Sequence, residues 1–166
     1  MINEFKGKVW KYGDDINTDV IFPGKYTYQK MEPEEMAKYA LEDLDPEFVN
    51  KVSDGDILVA GKNFGMGSSR EQAAIAIKYA GIRVIIAKSF SRIYFRNAIN
   101  AGMPAIKSPE AVEAIENGEE IVVDMKNGKI ITAKGEFEFP PYPKTVMEIL
   151  ENNGLISFIK NKIKNS

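Results

Sequence analysis

The side chains best placed to do chemistry are Ser68, Ser69 and Arg70, which close the stretch AGKNFGMGSSR over residues 60–70. An apolar run, DILVA over residues 56–60, precedes it and suits a buried strand. EQAAIAIKYA over residues 71–80 follows and suits a helix that is apolar on most of its circumference. Gly61, Gly65 and Gly67 lie between them. A strand, a glycine-rich turn and a helix N-terminus gather backbone N–H groups and the positive end of a helix dipole into one small region, which is a site for an anion. Arg70 adds a bidentate partner for a carboxylate or phosphate. The same residues carry a plainer reading. Ser68 with Glu71, or Ser69 with Gln72, fits a capping box, in which a hydroxyl merely closes the helix end. Local pattern leaves both readings open.

Two nucleotide-binding patterns are excluded. A P-loop needs Lys immediately before its Ser or Thr, but Met66 and Gly67 precede Ser68. A dinucleotide fingerprint starting at Gly65 would need a third glycine where Arg70 stands.

Composition narrows the chemistry further. The chain of 166 residues suits one domain, 1–166, with a real core; 44% hydrophobic and 28% charged residues are ordinary for a globular protein. A net charge of −2 implies no general affinity for nucleic acid or membrane surfaces. No apolar run reaches transmembrane length and no signal peptide opens the chain, so a cytoplasmic location is expected. The sequence contains neither Cys nor His. That excludes a thiolate nucleophile, a His-containing triad, a thiolate-ligated cluster and the usual zinc sites within the chain. Catalysis falls to Ser, Asp, Glu, Lys, Arg or Tyr, or requires a partner.

The elements that must position these groups read as an α/β chain. GKVWKY (7–12) suits a first strand. GDDINTD (13–19) is a carboxylate-rich loop that begins like a calcium loop, but Val20 stands where glycine is needed and Tyr26 where a bidentate Glu should be. After Pro23-Gly24, residues 25–31 (KYTYQKM) form a loop. Pro33 opens a helix expected to run to about Glu42, and a shorter helical turn begins near residues 45–47. VIIA (84–87) is a strand covered on both faces. Residues 89–101 suit a helix with Ile93, Phe95, Ala98 and Ile99 inward, stopped by Gly102. A short strand over residues 103–106 and a helix over 109–117 complete the βα series. From Glu119 the period changes to two. Asn127-Gly128 signals a two-residue hairpin, residues 135–139 a third late strand, and Val146, Met147 and Leu150 a C-terminal helix.

Three blocks in this order, GDDINTD, AGKNFGMGSSREQAA and AKSFSRIYFRNAINAGMP, resemble the small subunits of 3-isopropylmalate dehydratase, in the aconitase superfamily. The likeness covers nearly the whole chain. It implies a swivelling β/β/α domain like the fourth domain of aconitase, and a partner: a large subunit carrying a [4Fe–4S] cluster, with no cofactor bound by this chain. The implied reaction is dehydration of a small 2-hydroxy diacid and rehydration with hydroxyl and hydrogen exchanged. Carried over by motif, Ser68 is the serine whose alkoxide removes the substrate proton. Arg70 binds a substrate carboxylate, with Ser69 and Asp19 at the same pocket. The family's specificity loop maps onto Lys25, Tyr26, Thr27, Tyr28, Gln29 and Lys30. Homoaconitase-like members carry Tyr-Leu-Arg where this chain has Tyr26-Thr27-Tyr28, so Tyr28 stands in place of an arginine that would pair a third carboxylate. That favours the apolar isopropyl group. Homoaconitate, methylmalate-type diacids and dimethylmalate are the alternatives within the family. A non-catalytic anion- or RNA-binding module is the alternative outside it.

Overall fold

A computed structural model of the chain describes residues 3–165. Its elements are β1 (Glu4–Lys11), α1 (Thr18–Ile21), α2 (Pro33–Met36), α3 (Phe48–Lys51), β2 (Ile57–Ala60), α4 (Gln72–Ala80), β3 (Val84–Ala87) and α5 (Arg92–Asn100). They continue as β4 (Ala105–Lys107), α6 (Pro109–Ala114), β5 (Glu120–Asp124), β6 (Lys129–Thr132), β7 (Gly135–Glu138), α7 (Lys144–Glu151) and α8 (Leu155–Lys164). The strands form one seven-stranded sheet in the order β4-β3-β2-β1-β5-β6-β7. From β1 to β4 the pairs are parallel, and from β1 through β5 to β7 they are antiparallel. The expected division, parallel βα units in the middle and antiparallel strands late, is what the sheet shows.

The apolar runs of β2 and β3 are continuous because both faces of the sheet are covered. Alternate residues go to opposite sides. Leu58, Ala60, Ile85 and Ala87 pack with Ala73, Ile77, Tyr94, Phe64 and Phe22, under the face that carries α4. Ile57, Val59, Val84 and Ile86 pack with Val9, Ile106, Val112, Ile121 and Leu150 on the other face. Every residue of β2 and β3 is buried, and each fully buried Ile or Leu contributes about 1.5–3 kcal/mol relative to exposure.

Four local expectations are corrected. The helix from Pro33 ends at Met36 and tightens into a 3₁₀ turn over Ala37–Tyr39. The chain then turns through Leu41 at φ 57°, whose N–H donates to the Ile21 carbonyl, so that Leu41 can enter the core. The helix after β3 begins at Arg92 rather than Ser89, because Ser91 Oγ accepts from the Tyr94 N–H as its N-cap. Ala98 and Ile99 are buried as expected, but the inward aromatic is Tyr94, and Ile93 is exposed. The hairpin between β5 and β6 turns over residues 125–128, since Asp124 pairs with Lys129. There the Asp124 carboxylate accepts from both the N–H and the side-chain amide of Asn127.

Candidate active site

All three sequence blocks converge on residues 61–70. The first runs alongside: Asp15 N–H donates to the Lys62 carbonyl, Gly65 N–H to Ile16 and Thr18 N–H to Met66. Asp14 and Asp15 are spent here, accepting from the Lys62 N–H and the Asn63 side-chain amide. The third block closes the other side, with Phe64 N–H donating to Ser89 and Ser91 N–H returning to Phe64. Ser91 Oγ also donates to the Gly65 carbonyl, at 2.9 Å. Gly65 has φ 82°, and a Cβ there would overlap the Tyr94 ring, so both conformation and space require glycine. Gly65→Ala is expected to cost about 2–5 kcal/mol from strained φ and overpacking. Denaturant melts read this directly, and an unchanged midpoint would refute it.

Capping does not occur. The N-cap of α4 is Glu71 and makes no side-chain cap bond. Ser68 and Ser69 lie upstream of it, exposed, in an irregular segment. Among the described residues the backbone N–H groups of Ser68, Ser69 and Arg70 donate to no protein acceptor. Ser68 and Ser69 are presented to solvent just ahead of Arg70 in sequence and hold no helix end.

Arg70 is where the structure departs most from local reading. Its side chain is only 8% exposed. Nη2 donates to the carbonyls of Thr18 (2.5 Å) and Phe22 (2.7 Å), the closing turn of α1, and lies 3.1 Å from Asp19 Oδ1. A cation there also meets the negative end of that turn. Nη1 donates to Thr27 Oγ1 at 2.7 Å. Asp19 itself is 71% exposed, so it marks the solvent side of the guanidinium. Among the described residues, two buried side-chain polar atoms lack a protein partner, Thr18 Oγ1 and Arg70 Nε. Each such orphan costs about 1–3 kcal/mol. Both sit at this one place, where Arg70 Nη2 also donates to the Thr18 carbonyl.

The loop after Pro23 is fixed at its base and free at its tip. Tyr26 stacks on Tyr39 with ring centroids 4.1 Å apart, and its hydroxyl donates to Glu42 at 3.1 Å. Burial, and then the Glu42 carboxylate, push the Tyr26 phenol up from its ordinary pKa. Lys25 Nζ lies 5.2 Å from the Tyr26 ring centroid and 4.0 Å from Glu42. Thr27 is half-buried, Gln29 and Lys30 are exposed, and Tyr28 is 99% exposed. The loop's base is therefore drawn to Arg70, while Tyr28 forms no wall within this chain.

Residues 4–111 match the family model of the aconitase C-terminal domain. The 3-isopropylmalate dehydratase small subunit of Caldicellulosiruptor bescii is 55% identical over 162 residues, covering 96% of this chain and 97% of that one. The small subunit of Aquifex aeolicus is 50% identical over 163 residues, covering 96% of each. A solved structure of 3-isopropylmalate dehydratase from Methanocaldococcus jannaschii superposes with a TM-score of 0.89 at 40% identity, covering 96% of this chain and 95% of that one. The chain belongs to the 3-isopropylmalate dehydratase small-subunit family. Its sheet and covering helices are the swivelling β/β/α architecture of that family, as the sequence blocks imply. As a small subunit it has a large subunit as its partner. Among its described residues no group of three or more acidic, His or Cys side chains could hold a metal. No helix there is long and apolar enough to cross a membrane. Sequence reading missed Thr18, whose hydroxyl is one of the two orphans, and the hold of Thr27 on Arg70. Neither leaves a local signal, because both interactions span more than forty residues, 52 for Thr18 and 43 for Thr27.

Proposed function

We propose that this chain is the small subunit of a heteromeric hydro-lyase that interconverts 2-isopropylmalate and 3-isopropylmalate through 2-isopropylmaleate, a step of leucine biosynthesis. Near full-length identity to small subunits of that enzyme carries the reading. An exposed Ser68 two residues before a buried arginine is consistent with it. Residues 1–166 act as one swivelling domain that brings Ser68 to the large subunit. The [4Fe–4S] cluster belongs to that large subunit: with no Cys and no His, this chain's donor set does not fit one.

Ser68 Oγ, as the alkoxide, takes the proton from the carbon next to a substrate carboxylate. Hydroxide leaves the neighbouring carbon, and the C=C bond forms. Re-addition with the two positions exchanged returns the proton from Ser68 to the other carbon. A serine alkoxide in water at neutral pH is far too basic to persist. Here the fixed charge of Arg70 and the free N–H groups of residues 68–70 are preorganised toward negative charge, so stabilising the alkoxide needs little reorganisation. Arg70 binds a substrate carboxylate on its solvent side. Asp19 orients the guanidinium by holding Nη2, and Ser69 lines the same opening. Tyr28 stands beside the substrate's isopropyl group only once the large subunit closes over the loop, where an aromatic surface suits an apolar branch better than a third carboxylate.

The test is reconstitution. Mixed anaerobically with its large subunit, cluster intact, the chain is expected to turn over 2-isopropylmalate in preference to citraconate and homoaconitate, and neither subunit alone is active. Preference for homoaconitate would transfer the reading to the homoaconitase branch. No turnover of any of these diacids would overturn it.

A further inference from the structure

We infer that Thr27 is a positioning residue that latches the substrate-facing loop to the catalytic segment through Arg70; this rests on the proposed reading of Arg70 as the ligand of a substrate carboxylate. The donors of Arg70 are held in two ways. Nη2 is held by the main-chain carbonyls of Thr18 and Phe22 and by the Asp19 carboxylate. Nη1 is held by a side chain, through the Thr27 hydroxyl at 2.7 Å. Thr27 is gripped a second time, because its carbonyl accepts from Nε2 of Gln72, the first residue of α4, at 3.2 Å. One residue therefore ties the loop both to the guanidinium and to the helix that follows it.

Position makes this tie consequential. Tyr26, one residue earlier, is packed on Tyr39 and bonded to Glu42. Tyr28, one residue later, is 99% exposed. Thr27 is thus the last residue before the exposed Tyr28 that is tied to the catalytic segment, and its hydroxyl is the tie made to the guanidinium. It also limits rotation of the guanidinium plane. Arg70 already carries one buried donor without a partner, Nε. Without the Thr27 hydroxyl, Nη1 would lose its only protein acceptor among the described residues, and a charged donor with no acceptor is costly enough to move. The plane that receives the substrate carboxylate and the loop that contacts its branch would then drift together.

The variants are Thr27→Val, which keeps the branched shape and removes the hydroxyl, and Thr27→Ser, which restores it. Hydrogen–deuterium exchange on the full chain is expected to show residues 18–30 exchanging about ten-fold faster in T27V, the size of effect expected for one charge-assisted bond. Peptides of β2 and β3 should be unchanged, and T27S should match wild type. In the reconstituted enzyme T27V raises KM for 2-isopropylmalate about ten-fold with kcat within about two-fold, since the lost alignment serves ground state and transition state alike. T27S recovers KM. Wild-type exchange over residues 18–30 in T27V overturns the latch, as does T27S behaving like T27V or an unchanged KM. A wild-type pair that turns over no isopropylmalate counts against the proposed function, and the exchange measurement then decides the latch by itself.

Discussion

Ser68→Ala is expected to lower turnover of the assembled enzyme on the order of 10⁴-fold or more, the loss typical of removing a group that carries the reacting proton. Stability and subunit assembly should hold. Ser68 is exposed and caps nothing: α4 begins at Gln72 with Glu71 as its N-cap. Removing such a surface hydroxyl changes stability by about 0.5 kcal/mol at most. The contrast between intact assembly and lost turnover separates catalysis from capping, because a capping serine would show the reverse, a lower melting point with activity retained per folded molecule. Wild-type turnover in S68A would remove Ser68 from the mechanism. Ser69→Ala is a useful neighbour in the same assay, since the two hydroxyls share exposure and segment but are assigned different roles.

Arg70→Lys is expected to fail in two separable ways. Its guanidinium reaches the carbonyls of Thr18 and Phe22, the Asp19 carboxylate and the Thr27 hydroxyl at once. An ammonium is a compact point charge on a flexible stem and cannot span that set. The unmatched acceptors lie on α1 and the loop after it, so we expect about 2–3 kcal/mol of lost stability, the scale for hydrogen bonds to a charged group. Substrate is affected separately, because the planar fork that would take a carboxylate is gone. A fall in kcat/KM of about 10²–10³-fold follows when the assay is run well below both melting points. If kcat/KM stayed within about two-fold of wild type while stability fell, Arg70 would be a structural tie alone. That outcome is informative, since so many of its donors already have protein partners.

Much of this was legible in the sequence, and the reason is that it was local. The buried strands ILVA and VIIA are continuous apolar runs because each lies inside the parallel half of the sheet, covered on both faces. The change of period after Glu119 announced the antiparallel strands. The lack of Cys and His excluded a thiolate-ligated cluster and the usual zinc sites within the chain, and the order of three motif blocks identified the family. Turn glycines were legible as turns, though what each one touches was not.

Tertiary structure decided what depends on partners far along the chain. Two serines and an acidic residue at capping spacing look alike whether or not they cap. Only the position of α4, which starts after the segment is drawn toward α1 by Arg70, shows that they do not. Ile93 and Tyr94 are both apolar enough to face inward. The helix phase that buries Tyr94 is set by its fit on Gly65, an approach of 29 residues in sequence, and no periodicity encodes it. Arg70 itself is the clearest case. Its type and neighbours suggested an anion ligand, while its acceptors, 43 to 52 residues away, make it also the fastening of the loop after Pro23. Local pattern reports which backbone conformations a stretch prefers. Which donors meet which acceptors is set by sheet register and by the burial of a charge that must then be satisfied, and those are properties of the folded chain.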